Sequence, residues 1–136
     1  MVKKMITEDE KRALIKGKTI LITGGTGFLG RSLVREFLKY EPQSIRVFSR
    51  DEVKHFNVQE IFKKDPLMRH FVGDVRDFAR VNKAMQGVDI VIHAAALKRI
   101  DLIEYNVEEA IQTNVIGTVN VVRAALQNDV EKFVFV

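Results

Sequence analysis

Short apolar runs alternate with longer amphipathic segments throughout this sequence, and that alternation limits the folds open to it. The apolar runs predict strands over residues 19–22, 45–48, 69–72, 88–93 and 132–136. Between them, apolar residues recur at helical spacing and predict helices over residues 28–40, 51–64, 77–85 and 107–128. Strands that are apolar throughout are typical of a parallel sheet covered on both faces, so the sequence predicts an α/β fold.

Right-handed crossover connections then favour one sheet topology. We expect a doubly wound parallel sheet of the Rossmann type, with five strands in the order 3-2-1-4-5 and helices on both faces. Ahead of the first strand, Thr7 and Glu10 have the spacing of a capping box, which predicts a helix that runs to about Lys16 and ends at Gly17. Residues 1–17 are therefore an expected helical extension, and residues 18–136 an expected single domain.

Composition excludes several classes of protein. Hydrophobic residues make up 46% of the chain, yet no apolar run reaches the roughly 20 residues of a membrane span. The N-terminus has no apolar core of signal-peptide length, and the chain has no cysteine for disulfides or thiolate metal sites. We therefore expect a cytoplasmic protein with no membrane span and no metal site.

The net charge of +4 does not indicate nucleic-acid binding, because the 22 basic residues are scattered among 18 acidic ones. A preference for small anionic ligands fits this balance better. His93 ends an apolar run and has no metal-ligand partners at suitable spacing, so we expect a hydrogen-bonded core residue there.

A glycine-rich stretch, GGTGFLG at residues 24–30, lies between the first predicted strand and the helix that follows it. In a doubly wound sheet, strand order reverses here and ligands bind here. Gly24 can form the tight turn, Gly27 allows a pyrophosphate to approach the backbone, and Gly30 allows the helix to pack on the strand. The N–H groups that open the helix bind phosphate, so the stretch predicts a dinucleotide site rather than a ligand-free turn. Motif spacings can begin at either Gly24 or Gly25, so the pattern alone does not choose a subfamily.

The residues at the end of the second strand indicate which dinucleotide is bound. An acidic residue at this tip holds a ribose 2′-hydroxyl, whereas a 2′-phosphate needs a cation. Arg50 can donate two hydrogen bonds to a phosphate, Ser49 can add a third, and Lys54 lies one helical turn further on. Each such bond contributes roughly 1.5–3 kcal/mol, so NADP is the expected cofactor and NAD the less favoured one. The alternative is a surface ion pair between Arg50 and Asp51 or Glu52.

Several motifs together carry a family resemblance. TGGTGFLG resembles the cofactor loop of extended short-chain dehydrogenases/reductases. SRDE, GDVRD, IHAAALK and the EYN…TNVIGT stretch together resemble the NADP-dependent UDP-N-acetylglucosamine 4,6-dehydratases of bacterial polysaccharide synthesis. The likeness extends over residues 18–136, and the closely similar capsule-precursor epimerases share most of these motifs.

The resemblance implies roles for residues at the end of every predicted strand but the last. Asp74 and Val75 would cradle the adenine, and Ala94 would line the nicotinamide ribose. Lys98 would face both the cofactor and a sugar nucleotide, and Thr113 or Asn114 would lie near the reaction centre. The full set of expected cofactor-binding residues is Gly24, Gly25, Thr26, Gly27, Phe28, Leu29, Gly30, Ser49, Arg50, Asp51, Lys54, Asp74, Val75, Ala94, Ala95 and Lys98.

Each of these roles has a plain structural alternative. Asp74 can cap a turn, and the run of small residues over 94–96 can be ordinary close packing. Lys98 can belong to a solvated loop pair with Arg99. Thr113 and Asn114 fall within a predicted helix, where such side chains often bond to the backbone.

The sequence departs from the family where catalysis is concerned. The family's chemistry needs a Tyr-x-x-x-Lys pair, but Tyr40 is followed four residues later by Ser44, and Tyr105 by Glu109. The Asp-Lys pair expected just after the fifth strand does not occur within the 136 residues, and neither does the sugar-binding region. We therefore expect no catalytic residue in this chain, which would be the cofactor-binding part of a longer enzyme and bind NADP without turnover.

Other functions stay open at this point. The chain can be part of a nucleotide-sugar epimerase, a non-catalytic NADP-binding sensor module, or an interaction scaffold without a ligand. In the full-length enzyme the expected second ligand is a UDP-sugar. The apolar fifth strand would lie at an edge of the sheet, which predicts self-association through that edge.

Overall fold

The computed structural model describes residues 5–136. Its strands are β1 (Thr19–Thr23), β2 (Ser44–Ser49), β3 (Met68–Val72), β4 (Ile90–His93) and β5 (Lys132–Phe135). Its helices are α1 (Glu8–Ile15), α2 (Phe28–Phe37), α3 (Glu52–Ile61), α4 (Phe78–Met85), α5 (Ile100–Ile103), α6 (Val107–Ile111) and α7 (Gly117–Gln127). A 3₁₀ turn over Leu38–Tyr40 follows α2, and a π-helical turn over Gln112–Ile116 joins α6 to α7.

The five strands form one parallel sheet in the order β3-β2-β1-β4-β5, as the alternating pattern predicted. β1 lies at the centre, with Ile22 opposite Val47 of β2 and Ile92 of β4. All five residues of β1 are buried, which explains why its sequence is apolar rather than alternating. Because every strand points the same way, the carboxyl ends of β1 to β4 meet at one edge of the sheet.

Helices cover both faces of the sheet, and successive residues of β1 contribute to opposite faces. On one face Leu21 packs with Met85 of α4 and Val121 of α7. On the other face Ile20 and Ile22 pack with Val34 of α2 and Val58 of α3. The predicted doubly wound architecture is therefore confirmed.

The N-terminal helix α1 packs on the same face as α2. The predicted capping box is confirmed, since the Thr7 hydroxyl accepts from the Glu10 N–H and the Glu10 carboxylate accepts from the Thr7 N–H. Ile15 lies in the cluster around Ile20. The Tyr40 hydroxyl donates to Glu8 of α1 at 2.7 Å, a hydrogen bond that raises the pKa of Tyr40 to about 12.

The helix predicted over residues 107–128 is wrong in one respect, because a π-helical turn interrupts it. Asn114 lies within that turn and binds the loop after β4 with both ends of its side-chain amide. Directly after the turn, Gly117 lies so close to the β3–α4 loop that a Cβ atom there would be 2.6 Å from Val75 Cγ2. Contacts with two loops thus hold the interrupted segment.

The helices of the described residues are all too short or too polar to cross a membrane. Within residues 5–136, no three His, Asp or Glu side chains come together as a metal ion would require.

Candidate functional site

A cavity of about 460 Å³ lies at the carboxyl ends of β1 to β4. The loop that follows each of these four strands contributes to its wall. The residues that line it are Gly24, Thr26, Gly27, Phe28, Leu29, Gly30, Phe48, Ser49, Arg50, Lys54, Gly73, Asp74, Val75, Ala94, Ala95, Ala96, Leu97, Lys98 and Thr113. The structure therefore brings most of the predicted site residues into one crevice, although Gly25, Asp51 and Asn114 are not among its lining residues.

The glycine loop between β1 and α2 is pressed against its neighbours. Gly24 has φ +68°, and a Cβ atom there would lie 2.9 Å from the Ala94 carbonyl oxygen, so the predicted tight turn is present. A Cβ atom on Gly30 would lie 2.4 Å from Gly25 Cα. Gly30 therefore allows α2 to pack on the loop itself, rather than on the strand as predicted. Gly25 does not line the cavity, and a Cβ atom there would meet Val47 and Ile22 of the sheet, so its predicted contact with a cofactor stays a prediction.

Helix α2 begins at the cavity, with Gly27 as its N-cap. No side chain of the described chain caps this end. The opening N–H groups of a helix carry partial positive charge, and here Phe28 and Leu29 line the cavity. This end of α2 therefore suits a bound anion.

At the end of β2, Ser49, Arg50 and Lys54 line the cavity, as predicted. Asp51 does not, because its carboxylate accepts from the Lys54 N–H at 3.0 Å and caps α3. Arg50 does not make the surface pair that was its alternative role; its Nη1 lies 3.8 Å from Oδ2 of Asp74 instead. The strand end therefore presents two cations to the cavity, while the adjacent carboxylate is engaged in the helix cap.

Asp74, after β3, caps a turn, which was its structural alternative, and also lines the cavity. Its Oδ1 accepts from the Arg76 N–H at 2.9 Å, which is a turn cap, and its Oδ2 accepts from the Arg76 guanidinium at 2.8 Å. Burial opposes ionisation, but the hydrogen bonds from Arg76 outweigh it and lower the pKa of Asp74. The carboxylate is thus ionised and partly engaged, yet Asp74 and Val75 both line the cavity.

The loop after β4 passes close to β1 and is held by Asn114. Leu97 donates its N–H to Asn114 Oδ1 at 2.8 Å, and Asn114 Nδ2 donates to the Leu97 carbonyl at 3.0 Å. Asn114 therefore binds backbone, which confirms its structural alternative. Thr113 differs, since it lines the cavity, is 5% exposed and has an Oγ1 for which residues 5–136 provide no hydrogen-bond partner.

His93, predicted to be a core residue, is 1% exposed and hydrogen-bonded through both ring nitrogens. The Thr118 hydroxyl donates to the Asn114 carbonyl, so it accepts from His93 Nε2 at 3.0 Å. His93 Nδ1 then accepts from the Thr23 hydroxyl at 2.6 Å. Burial lowers the pKa of His93 to about 4, so the ring is neutral and structural.

Sequence reasoning missed four lining residues, Phe48, Gly73, Ala96 and Leu97. Phe48 resembles an ordinary strand residue, and no local pattern identifies it. Gly73 follows β3 directly, and a Cβ atom there would be 2.8 Å from Phe48 Cζ. A glycine after a strand of this sheet was therefore a usable signal. Ala96 belonged to the small-residue run already noticed, but Leu97 had no signal.

Known proteins with similar sequences support this picture. UDP-N-acetylglucosamine 4,6-dehydratase (inverting) of Campylobacter jejuni is 48% identical over 120 residues, which are 88% of this chain and 36% of the relative. UDP-glucose 4-epimerase of Rickettsia akari is 44% identical over 121 residues, or 86% of this chain and 35% of the relative. The chain thus spans about a third of the length of these relatives.

A solved structure, that of the dTDP-glucose 4,6-dehydratase DesIV from Streptomyces venezuelae with NAD and TYD bound, has the same architecture. Its TM-score is 0.73 at 26% identity, over 85% of this chain and 38% of DesIV. Residues 20–136 also match the family described as polysaccharide biosynthesis protein. By its fold, its crevice and this match, the chain belongs to the polysaccharide biosynthesis protein family.

Proposed function

We propose that this chain is the NADP(H)-binding portion of a UDP-sugar 4,6-dehydratase of the UDP-N-acetylglucosamine type. The observation that carries the proposal is that one cavity joins the uncapped start of α2 to the cations Arg50 and Lys54. NADP has anionic groups at two separated places, its pyrophosphate and its 2′-phosphate. The start of α2 offers positive charge to the first, and Arg50 and Lys54 offer it to the second. Residues 18–136 would form the cofactor-binding domain, with residues 1–17 as a helical extension.

The residues present fit such a cofactor. The start of α2 would hold the pyrophosphate, with Gly24, Thr26 and Gly27 shaping the loop around it. Ser49, Arg50 and Lys54 would surround the 2′-phosphate, Asp74 and Val75 the adenine, and Ala94 and Ala95 the nicotinamide ribose. When bound, NADP⁺ supplies a hydride acceptor.

The balance of charges at the end of β2 favours NADP over NAD. A site for NAD needs a carboxylate free to accept from the ribose 2′-hydroxyl. Asp51 caps α3, and Asp74 is engaged by Arg76. Arg50, by contrast, lies 3.8 Å from Asp74, a distance at which a bound phosphate can compete for the guanidinium. NAD, which DesIV binds, is the alternative cofactor.

Lys98 supports a neighbouring sugar-nucleotide site. It lines the main cavity and also a second one of about 460 Å³, which Arg99, Leu102 and Asn106 border. A cation shared by two adjoining cavities is suitably placed between a cofactor and an anionic substrate. We propose that the second cavity, which Arg50 also borders, receives part of the UDP-sugar in the whole enzyme.

The chain by itself would bind cofactor without turnover. Tyr40 is buried on the α1 side of the molecule, where its hydroxyl donates to Glu8 at 2.7 Å and lies 3.0 Å from the Glu36 carboxylate. Tyr105 is 88% exposed and does not line the main cavity. Neither residue has a lysine four positions later. A nucleotide-sugar epimerase is the second candidate, because the Rickettsia akari relative is almost as similar as the dehydratase.

Calorimetric titration of Arg50→Ala with NADP⁺ and NAD⁺ tests this proposal. We expect NADP⁺ to bind at least about tenfold more weakly, since a charge-assisted hydrogen bond is lost, and NAD⁺ to change less than about twofold. Lys83→Ala is the control, because it removes one positive charge from an exposed position on α4 outside the cavity. Equal losses for both cofactors in Arg50→Ala would contradict a 2′-phosphate site.

A further inference from the structure

The last residue of β2 is held by hydrogen bonds from three other segments. The Ser49 carbonyl oxygen accepts from the Gly73 N–H at 3.0 Å and from His55 Nε2 at 3.1 Å. The Ser49 hydroxyl accepts from Thr26 Oγ1 at 2.9 Å. The glycine loop, the end of β3 and helix α3 therefore all converge on the residue that precedes Arg50.

His55 reaches Ser49 from the first turn of α3, and a second histidine holds its ring. His55 Nδ1 and His70 Nδ1 are 3.0 Å apart, and the two rings are nearly perpendicular at 80°. A carbonyl oxygen can only accept a hydrogen bond, so His55 Nε2 is protonated and donates to the Ser49 carbonyl. His55 Nδ1 then accepts from the Nδ1–H of His70, which fixes the tautomers of both rings.

Both histidines suit this arrangement in their neutral forms. His55 is 4% exposed, and burial lowers the pKa of both residues. The carboxylate of Asp51, which caps α3, opposes this lowering at His55, but burial outweighs it. The hydrogen bonds therefore run in one direction, from His70 of β3 through His55 of α3 to the end of β2.

The Ser49 carbonyl also sets the direction of Arg50, because both belong to one planar peptide unit. Fixing the C=O group fixes the Arg50 N–H and the start of the Arg50 backbone. On the other side, Arg50 is followed directly by Asp51, the N-cap of α3. Arg50 is thus the single residue between the held Ser49 carbonyl and the N-cap residue Asp51, and its side chain lines the cavity.

We propose that His55, oriented by His70, is a positioning residue that sets Arg50 for the adenosine 2′-phosphate and so contributes to selection of NADP over NAD. This inference rests on the proposed function, since it assumes that Arg50 contacts that phosphate. It adds a residue outside the cavity to those that determine cofactor choice, because His55 does not line the cavity.

The test compares His55→Leu with His55→Gln by calorimetric titration with NADP⁺ and NAD⁺. The glutamine Nε2 amide can replace the donor to Ser49, whereas leucine removes it. We expect His55→Leu to lower the NADP⁺/NAD⁺ affinity ratio about tenfold and His55→Gln to keep it within about threefold of wild type. Phe56→Gln, an exposed change on the same helix, is the control and is expected to leave the ratio unchanged.

The inference is overturned if the NADP⁺/NAD⁺ affinity ratio of His55→Leu stays at the wild-type value. This includes the case in which both cofactors bind equally more weakly, which indicates a purely structural role. A wild-type chain that does not prefer NADP⁺ instead contradicts the proposed function on which the inference rests.

Long-range ¹H–¹⁵N NMR on the wild-type chain at pH 7.5 gives a second test that needs no variant to fold. Neutral His55 with its proton on Nε2 supports the inference, and a proton on Nδ1 alone overturns it.

Discussion

The two sides of the crevice are built differently. On the β2 side, formed by the glycine loop and the end of β2, polar groups satisfy one another through Thr26, Ser49 and His55, and the cations face the cavity. On the β4 side, formed by residues 94–98 and the π-helical turn, three alanines line the cavity with Leu97 and Lys98, and the Thr113 hydroxyl is unpartnered among the described residues.

The difference shows how one crevice can divide its tasks. On the β2 side, hydrogen bonds hold the backbone next to Arg50, which suits selection of a phosphate. Beside Lys98, the β4 side keeps open space and a hydroxyl that a ligand can satisfy, which suits the reacting end of a cofactor. Four changes test this division, one on the β2 side, two on the β4 side and one at the sheet edge beside it, and their expected effects decrease in the order given.

The largest effect is expected on the β2 side from Gly30→Val. A Cβ atom at Gly30 would lie 2.4 Å from the Gly25 backbone, so the branched side chain must displace the loop or the helix. We expect the free energy of unfolding to fall by more than about 3 kcal/mol in urea denaturation.

Gly27→Ala is the matched control, because its Cβ would meet only the Gly24 carbonyl, at 3.3 Å. It should retain stability to within about 1 kcal/mol. It should nevertheless weaken NADP⁺ binding, since the added methyl group lies where the proposed site would place the pyrophosphate. Loss of stability in Gly27→Ala equal to that in Gly30→Val would contradict separate folding and binding roles for the two glycines.

On the β4 side, acid should destabilise the protein through His93. The unfolded histidine has a pKa near 6.5, whereas the folded one has a pKa of about 4, so between these values the unfolded state binds the extra proton. Stability therefore rises with pH in this window and falls on acidification, by up to about 1.4 kcal/mol per pH unit and about 3 kcal/mol in all. Urea denaturation from pH 7 to pH 5 measures the slope.

His93→Gln provides the comparison for this slope, because it removes the titrating ring and leaves the carboxylates in place. The pH dependence should be clearly shallower in the variant. The same slope in both proteins would show that His93 is not held neutral. His55 and His70 add a smaller effect of the same sign, since burial lowers the pKa of each.

Thr113→Val, also on the β4 side, should stabilise the chain without ligand. It replaces a buried hydroxyl that lacks a partner within residues 5–136 by a methyl group, which should raise the free energy of unfolding by about 1 kcal/mol. Thr118→Val is the matched control, because that hydroxyl is bonded to His93 and Asn114 and its loss should destabilise. Destabilisation by both changes would mean that the Thr113 hydroxyl is satisfied in the folded protein.

The two edges of the sheet extend the comparison and give the smallest expected effect. The β3 edge carries Arg69 and His70 with the exposed Val72, whereas β5, beside the β4 side of the crevice, exposes both Val134 and Phe135. An exposed apolar edge strand favours pairing with a second chain, so we expect self-association at high concentration.

Light scattering on Phe135→Lys measures the effect at this edge. The added charge should shift the protein toward monomer, whereas Leu126→Lys, at an even more exposed apolar position on α7, should not. A wild-type chain that stays monomeric at high concentration would contradict this role for β5.

The fold was predictable because the buried central strands can be recognised from local sequence. β1 and β4 are buried along their whole lengths and are correspondingly apolar. The glycine loop was predictable because strand, turn and helix follow one another within a few residues. Most of the cavity lining followed from these elements, since the loops after parallel strands meet at one edge.

The parts that were missed depend on contacts between distant segments. Nothing in the helical spacing of residues 107–128 indicates the π-helical turn, in which Asn114 binds Leu97 of another loop. The pairing of His55 with His70 joins a helix to a strand 15 residues away. Asp51 is a different case, because an aspartate directly before a helix was a local signal for an N-cap.

The central claim is that the crevice binds a dinucleotide and that its β2 side selects the 2′-phosphate. Calorimetric titration of the wild-type chain with NADP⁺ and, separately, NAD⁺ tests it most directly. We expect one site per chain and at least about tenfold tighter binding of NADP⁺. Equal affinity for the two cofactors would contradict selection by Arg50, and no binding of either by a folded chain would contradict the claim as a whole.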